Sequence, residues 1–245
     1  MSEAPDSRAV IVSGGTSGLG FATAQLLAER GSRVWILGSR AETVDAALAE
    51  LEVVGGSACD AADEQAVEAA VAEAVEALGG LDGVFVNAGI DGEGKDAMEL
   101  SVESFRRILD VNVIGAFVLA RAAARSMERG AGIVINASDS GLRPEHGFAD
   151  YNTSKAAAIT LAQSLALDFS PLGIAVTAIC PGYIRTRMTE PMLDDPKLAS
   201  ELLADIPAGR FGEPIEVAEL VDFLLSGRAT YLTGSVIAID GARNV

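Results

Sequence analysis

The feature that most constrains this chain is a short apolar run, Ala9-Val10-Ile11-Val12, that breaks into the glycine-rich stretch SGGTSGLG at 13–20. Residues 21–30 (FATAQLLAER) then take up helical apolar spacing and stop at Gly31. A buried strand, a glycine turn and a helix in that order make a dinucleotide-binding start. Gly14, Gly18 and Gly20 let the backbone turn sharply and approach a pyrophosphate, with Ser17 and Leu19 between them. Free N–H groups at the helix start favour negative charge there. The turn lacks the Lys-Ser/Thr ending of a P-loop, which excludes the usual nucleotide hydrolases.

The same alternation continues along the chain. Strands are expected at 34–37, faintly at 56–58, at 83–86, at 133–137, at 174–179 and at 235–239. Helices are expected at 41–51, 61–78, 102–127, 151–169 and 215–225, and a connection at 183–213 has room for a short one. Strands apolar on both faces, separated by helices, mean a parallel sheet covered on both sides. With no linker or composition break, residues 1–245 read as one α/β domain: doubly wound, Rossmann-type, with a seven-stranded parallel sheet. Such sheets bind ligands beyond the carboxyl ends of their strands. Gly14, Asp60, Asn87, Ser138 and Pro181-Gly182 all fall just after strands. Asp60 suits an adenine contact or a helix N-cap.

Tyr151 and Lys155 lie four residues apart on an expected helix, so they share a face, and Ser138 stands thirteen residues earlier at a strand end. A phenol near pKa ~10 is too weak an acid for work at neutral pH. A neighbouring ammonium lowers that value and lets the pair pass a proton to or from a substrate oxygen. Ser138 can hold the same oxygen. The plain alternative is a buried tyrosine beside a surface lysine.

A net charge of −17 argues against nucleic acid or an anionic membrane as partner. No apolar run reaches the ~18 residues of a membrane span. The opening residues carry no basic and apolar leader pattern, so none is expected. Cys59 and Cys180 are isolated, which suggests reduced thiols and a cytoplasmic location. The lone histidine, His146, reads as an exposed loop residue, and no metal site is expected.

In this order and spacing the residues resemble the short-chain dehydrogenase/reductase family over nearly the whole chain. Ser13-Gly14, Gly18 and Gly20 match its Thr-Gly-x3-Gly-x-Gly turn, with serine for threonine. Asn87-Ala88-Gly89 matches its Asn-Asn-Ala-Gly motif with Val86 at the first asparagine, which puts a sheet-stabilising hydrogen bond in question. The resemblance places the catalytic Asn, Ser, Tyr and Lys on Asn112, Ser138, Tyr151 and Lys155. It implies an NAD(P)(H)-dependent oxidoreductase interconverting a secondary alcohol and a ketone, with Tyr151 as general acid/base. Lys155 would lower the Tyr151 pKa and hold the nicotinamide ribose, while Asn112 would hold a water. Pro181, Gly182, Ile184 and Thr186 would meet the nicotinamide. It also implies a homotetramer or dimer, since the 151–169 helix is apolar on more than one face; a mate's 102–127 helix would cover it.

About 20 residues past the glycine turn an NAD enzyme carries an acid. Here Gly38 stands there, followed by Ser39 and Arg40, so NADP(H) is expected over NAD(H). Ser17 offers no second basic clamp. The 139–150 and 183–213 segments would shape the substrate site. Met188, Met192 and Leu193 suggest an apolar lid, while Arg143, Glu145, Arg185 and Arg187 leave room for a polar or acidic group. The rivals are a glycine-turn methyltransferase, which gives no reason for Tyr151, Lys155 and Ser138, and a non-catalytic dinucleotide-binding protein.

Overall fold

Seven strands form close to where the apolar runs predict them: β1 (Ala9–Ser13), β2 (Arg33–Gly38), β3 (Gly55–Ala58), β4 (Gly83–Val86), β5 (Gly132–Asn136), β6 (Ala175–Pro181) and β7 (Val236–Ile239). All pair in parallel, in the order β3-β2-β1-β4-β5-β6-β7. The computed structural model describes residues 7–187 and 189–245. The opening six residues, where no leader was expected, and Met188 of the expected lid lie outside them.

Alternation along the strands builds two cores. Ala9 and Ile11 of β1 face one side, where α3 (Glu64–Leu78), α5 (Ala116–Ala124) and α6 (Ala149–Phe169) supply Val71, Leu119 and Leu165. Val10 and Val12 face the other side, against Leu27 of α1 (Gly18–Glu29), Ala47 of α2 (Ala41–Leu48) and Val221 of α9 (Pro214–Leu225). Full burial of each large aliphatic contributes about 1.5–3 kcal/mol. This explains why the 49% apolar composition needs no disulfide; Cys59 and Cys180 are both free.

The structure departs from expectation in two places. The single helix expected at 102–127 is α4 (Val102–Leu109), a π turn (Asp110–Gly115) and then α5. The wider turn swings Asn112 inward, where its side chain both accepts from Ile90 N and donates to Ile90 O. Gly115 in that turn passes so close to Ala61 that an added Cβ would stand 2.3 Å from its carbonyl oxygen. The 183–213 connection holds two helices, α7 (Glu190–Leu193) and α8 (Pro196–Ala204). Asp195 caps α8, and Leu193 packs with Ile206 and Phe211 in a small core of their own.

At the first turn of α1 a Cβ on Gly20 would lie 2.2 Å from the Gly14 carbonyl oxygen and 2.7 Å from Asn87 Nδ2. Neither the turn nor the strand end can give way. Gly20→Ala is therefore expected to cost about 1–3 kcal/mol, read as a lowered urea midpoint with an unchanged slope.

Candidate functional site

One cavity of about 1000 Å³ runs along the carboxyl ends of the strands. It touches Gly14, Ser17, Gly18 and Leu19 at the glycine turn, then Gly38, Ser39 and Asp60 beyond β2 and β3. It continues past Asn87, Ala88 and Gly89 to Ser138, Tyr151, Lys155, Pro181, Gly182, Ile184 and Thr186. Three expected residues do not line it. Gly20 supports the turn from behind, Asn112 sits behind Gly89, and Arg40 is exposed at the start of α2.

The residues fit a dinucleotide. Gly14 and Gly18 hold φ of 63° and 54°, a left-handed backbone that glycine adopts without strain. Ser17 leaves the first turn of α1 without a side-chain cap, and no acid stands in that turn. Its N–H groups therefore stay available to an anion. A carboxylate in place of Gly38 would not be accommodated, since a Cβ there would meet Thr16 at 2.6 Å and Val44 at 2.8 Å. Asp60 is not a helix cap: its carboxylate accepts from Ala62 N beside the cavity, and Asp63 caps α3.

A seam of hydrogen bonds ties the strand ends together. Ser13 Oγ accepts from Asn87 N and Ala88 N, and Asn87 Nδ2 donates to Ser13 O. Asn136 Nδ2 donates to Asn87 Oδ1, and Lys155 Nζ donates to Asn136 O at 3.0 Å. The bond that Val86 put in question is thus supplied by Ser13 and Asn87, while Val86 joins the core.

Tyr151 and Ser138 line the cavity together, and Lys155 Nζ lies 5.5 Å from the Tyr151 ring centre. Asn112 Nδ2 donates to Ser154 Oγ on the same helix. Burial pushes the Tyr151 phenol up, against a smaller lowering by Ser138; Asp91, Asp139 and Glu145 push it further up. Burial also pulls the Lys155 ammonium down to about 8. The expected lowering of the phenol by Lys155 therefore does not dominate in the protein by itself. Its ammonium is directed at Asn136 O, and desolvation works against both charged forms.

The basic residues expected to admit an acidic substrate are mostly engaged. Arg143 makes a two-pronged pair with Asp205, and Arg185 contacts Glu213 and stacks on Phe211. Arg187 lines the cavity beside Thr186. Glu145 accepts from Tyr183 Oη at 2.8 Å. His146 is exposed, 3.7 Å from Asp96. Met192 and Leu193 do lie on α7, with Leu193 buried. Sequence reasoning missed Asp91, Asp139 and Arg243. The last two meet across 104 positions of sequence, and no local pattern marks such a pair.

The family profile described as enoyl-(acyl carrier protein) reductase matches residues 14–242. The 2-(R)-hydroxypropyl-CoM dehydrogenase of Xanthobacter autotrophicus is 39% identical, over 96% of this chain and 98% of the relative. The 2,5-dichloro-2,5-cyclohexadiene-1,4-diol dehydrogenase of Sphingobium indicum is 40% identical, over 96% of each chain. A short-chain dehydrogenase from Burkholderia cenocepacia, solved in complex with NADP, superposes with a TM-score of 0.91 at 33% identity, covering 99% of this chain and all of the other. The chain belongs to the short-chain dehydrogenase/reductase family and is an oxidoreductase of secondary alcohols and ketones.

Proposed function

We propose that this chain uses NADP(H) to interconvert an uncharged secondary alcohol and its ketone, with Tyr151 as the general acid/base. The observation that carries this reading is that Ser138, Tyr151 and Lys155 line the same cavity as the glycine turn. The cofactor supplies or accepts the hydride at the substrate carbon. Tyr151 takes the alcohol proton during oxidation and returns it during reduction. Ser138 orients the substrate oxygen beside it. Lys155 anchors the ribose end, and Asn112 braces the segment at Gly89 from behind, with its Oδ1 3.2 Å from where a Cβ on Gly89 would stand. Asp91, which makes no ion pair among the described residues, disfavours negative charge at the phenol, which supports an uncharged substrate. Loss of cofactor fluorescence with a panel of cyclic ketones tests the activity. Tyr151→Phe is expected to lose about 10²–10⁴-fold in kcat with cofactor affinity little changed; near-normal turnover would remove Tyr151 from this role.

The preference for NADP(H) rests on Gly38, whose crowded position leaves no acid to repel a 2′-phosphate, and on Ser39 at the cavity wall. Arg40, exposed next to Ser39, reaches the same phosphate with paired donors. The ratio of kcat/KM for NADP(H) over NAD(H) is expected to exceed one and to fall on Arg40→Ala. A wild type that prefers NAD(H), or a ratio untouched by Arg40→Ala, overturns this preference.

The quaternary reading is a homotetramer. On α6 the expected second apolar face is partly met within the chain, because α4 and the π turn pack against it. Leu119 and Ala120 are likewise buried in the chain's own core, which takes them out of the expected contact. Exposed apolar residues include Leu167 on α6 itself and two further groups, Met98, Val102 and Ile114 around α4 and Ile215 and Phe223 on α9. Two separate patches suit two kinds of two-fold contact. Light scattering at micromolar concentration is expected to give four times the 25.2 kDa chain mass; a single-chain mass contradicts it. The free thiols of Cys59 and Cys180 support a cytoplasmic location. No helix among the described residues is long and apolar enough to cross a membrane.

A further inference from the structure

The Tyr151 phenol stands among carboxylates, and a cation from the far end of the chain holds two of them. Asp91 in the loop after β4, and Asp139 and Glu145 between β5 and α6, each disfavour the phenol's ionised form, while Lys155 Nζ on α6 lies 5.5 Å from its ring centre. Tyr183, from the segment after β6, is neutral and bonded to Glu145. Arg243 follows β7. It donates to Asp139 Oδ2 at 2.7 Å, lies 2.8 Å from Glu145 Oε1 and reaches Asp205 Oδ2 at 3.0 Å. Its guanidinium sits 4.7 Å over the Tyr183 ring, and the side chain is only 7% exposed. Asp139 Oδ1 in turn accepts from Ser138 Oγ at 3.3 Å, and Ser138 lines the same cavity as Tyr151. The contacts therefore run from Arg243 through Asp139 to Ser138, beside the phenol.

We propose that Arg243 is a positioning residue that acts through Asp139 and Glu145, cancelling their charge beside Tyr151 and fixing Ser138 against it. The inference rests on the reading of Tyr151 as the proton-transfer group. During oxidation the alcohol O–H bond breaks and its proton passes to the Tyr151 phenolate. A bound nicotinamide would accept the carbon's hydride, so that the alcohol ends as ketone and the phenolate as neutral phenol. Every uncompensated carboxylate nearby makes that phenolate harder to form. Arg243 compensates two of the three. Asp91 makes no ion pair among the described residues, and Gly92 N is its hydrogen-bond donor. A purely structural clamp at the chain end would leave the ionisation of Tyr151 where it was.

The pH dependence of kcat/KM for alcohol oxidation separates the two roles in the full-length protein. In wild type the rate rises with pH as the phenolate forms. Arg243→Met is expected to move that limb up by about one pH unit, a roughly tenfold loss below it. Arg243→Lys, which keeps the charge, should leave the limb within a few tenths of a unit of wild type. Asp139→Asn with Arg243 intact should move the limb down, and Arg243→Met/Asp139→Asn/Glu145→Gln should bring it back. Should Arg243→Met fail to fold, the lysine and asparagine variants still decide the matter. A lower kcat with an unmoved limb in Arg243→Met overturns the proposal, as does an unmoved limb in Asp139→Asn. Wild-type protein without turnover on any alcohol would instead remove the assignment of Tyr151 and this inference with it.

Discussion

The seam from Ser13 through Asn87 and Asn136 to Lys155 is the interaction on which the site depends. Each member stands at or just past the carboxyl end of a strand, except Lys155, which stands on α6. Parallel pairing brings β1, β4 and β5 side by side with their ends level. The seam then satisfies polar groups that strand ends would otherwise bury unpaired. It also fixes the glycine turn relative to α6, which carries Tyr151 and Lys155. Satisfaction of the backbone and spacing of the site are one device.

Electrostatics are the site's second constraint. A chain with net charge −17 has Asp91, Asp139 and Glu145 act against the ionised form of a phenol that the proposed chemistry uses ionised. Burial already disfavours that form, and it disfavours the ammonium of Lys155 as well. Low local dielectric strengthens every remaining interaction there. A buried guanidinium is tolerated only with its donors engaged, and Arg243 meets that condition with Asp139, Glu145 and Asp205. The same ion pairs join the segment between β5 and α6 to Asp205, just past α8, so the 183–213 connection and that segment are linked through one side chain.

Much of this was written into local sequence. Apolar runs of four or five residues bounded by glycine announced the strands, and their alternation with helical spacing required a parallel, doubly wound sheet. The glycine turn and the Tyr151–Lys155 spacing marked the cavity because each depends on residues close in sequence. Helix ends were less legible: α1 starts at Gly18 rather than Phe21, since the helix begins inside the glycine turn. The π turn at Asp110–Gly115 was invisible because its residues keep ordinary helical spacing. Only the approach of Ile90 and Ala61 makes the wider turn favourable there.

The sequence by itself determined the fold class, the cavity's place at the strand ends and the Ser138, Tyr151 and Lys155 that line it, because hydrophobic period and turn chemistry are local. Tertiary structure decided what those residues experience. It spent the Lys155 ammonium on Asn136, left Arg40 on the surface, and engaged Arg143 and Arg185 in ion pairs away from the substrate. It also brought Arg243 to Asp139 from 104 positions away. The physical reason is that pKa values and charge balance depend on distance and burial in space, which no spacing along the chain encodes.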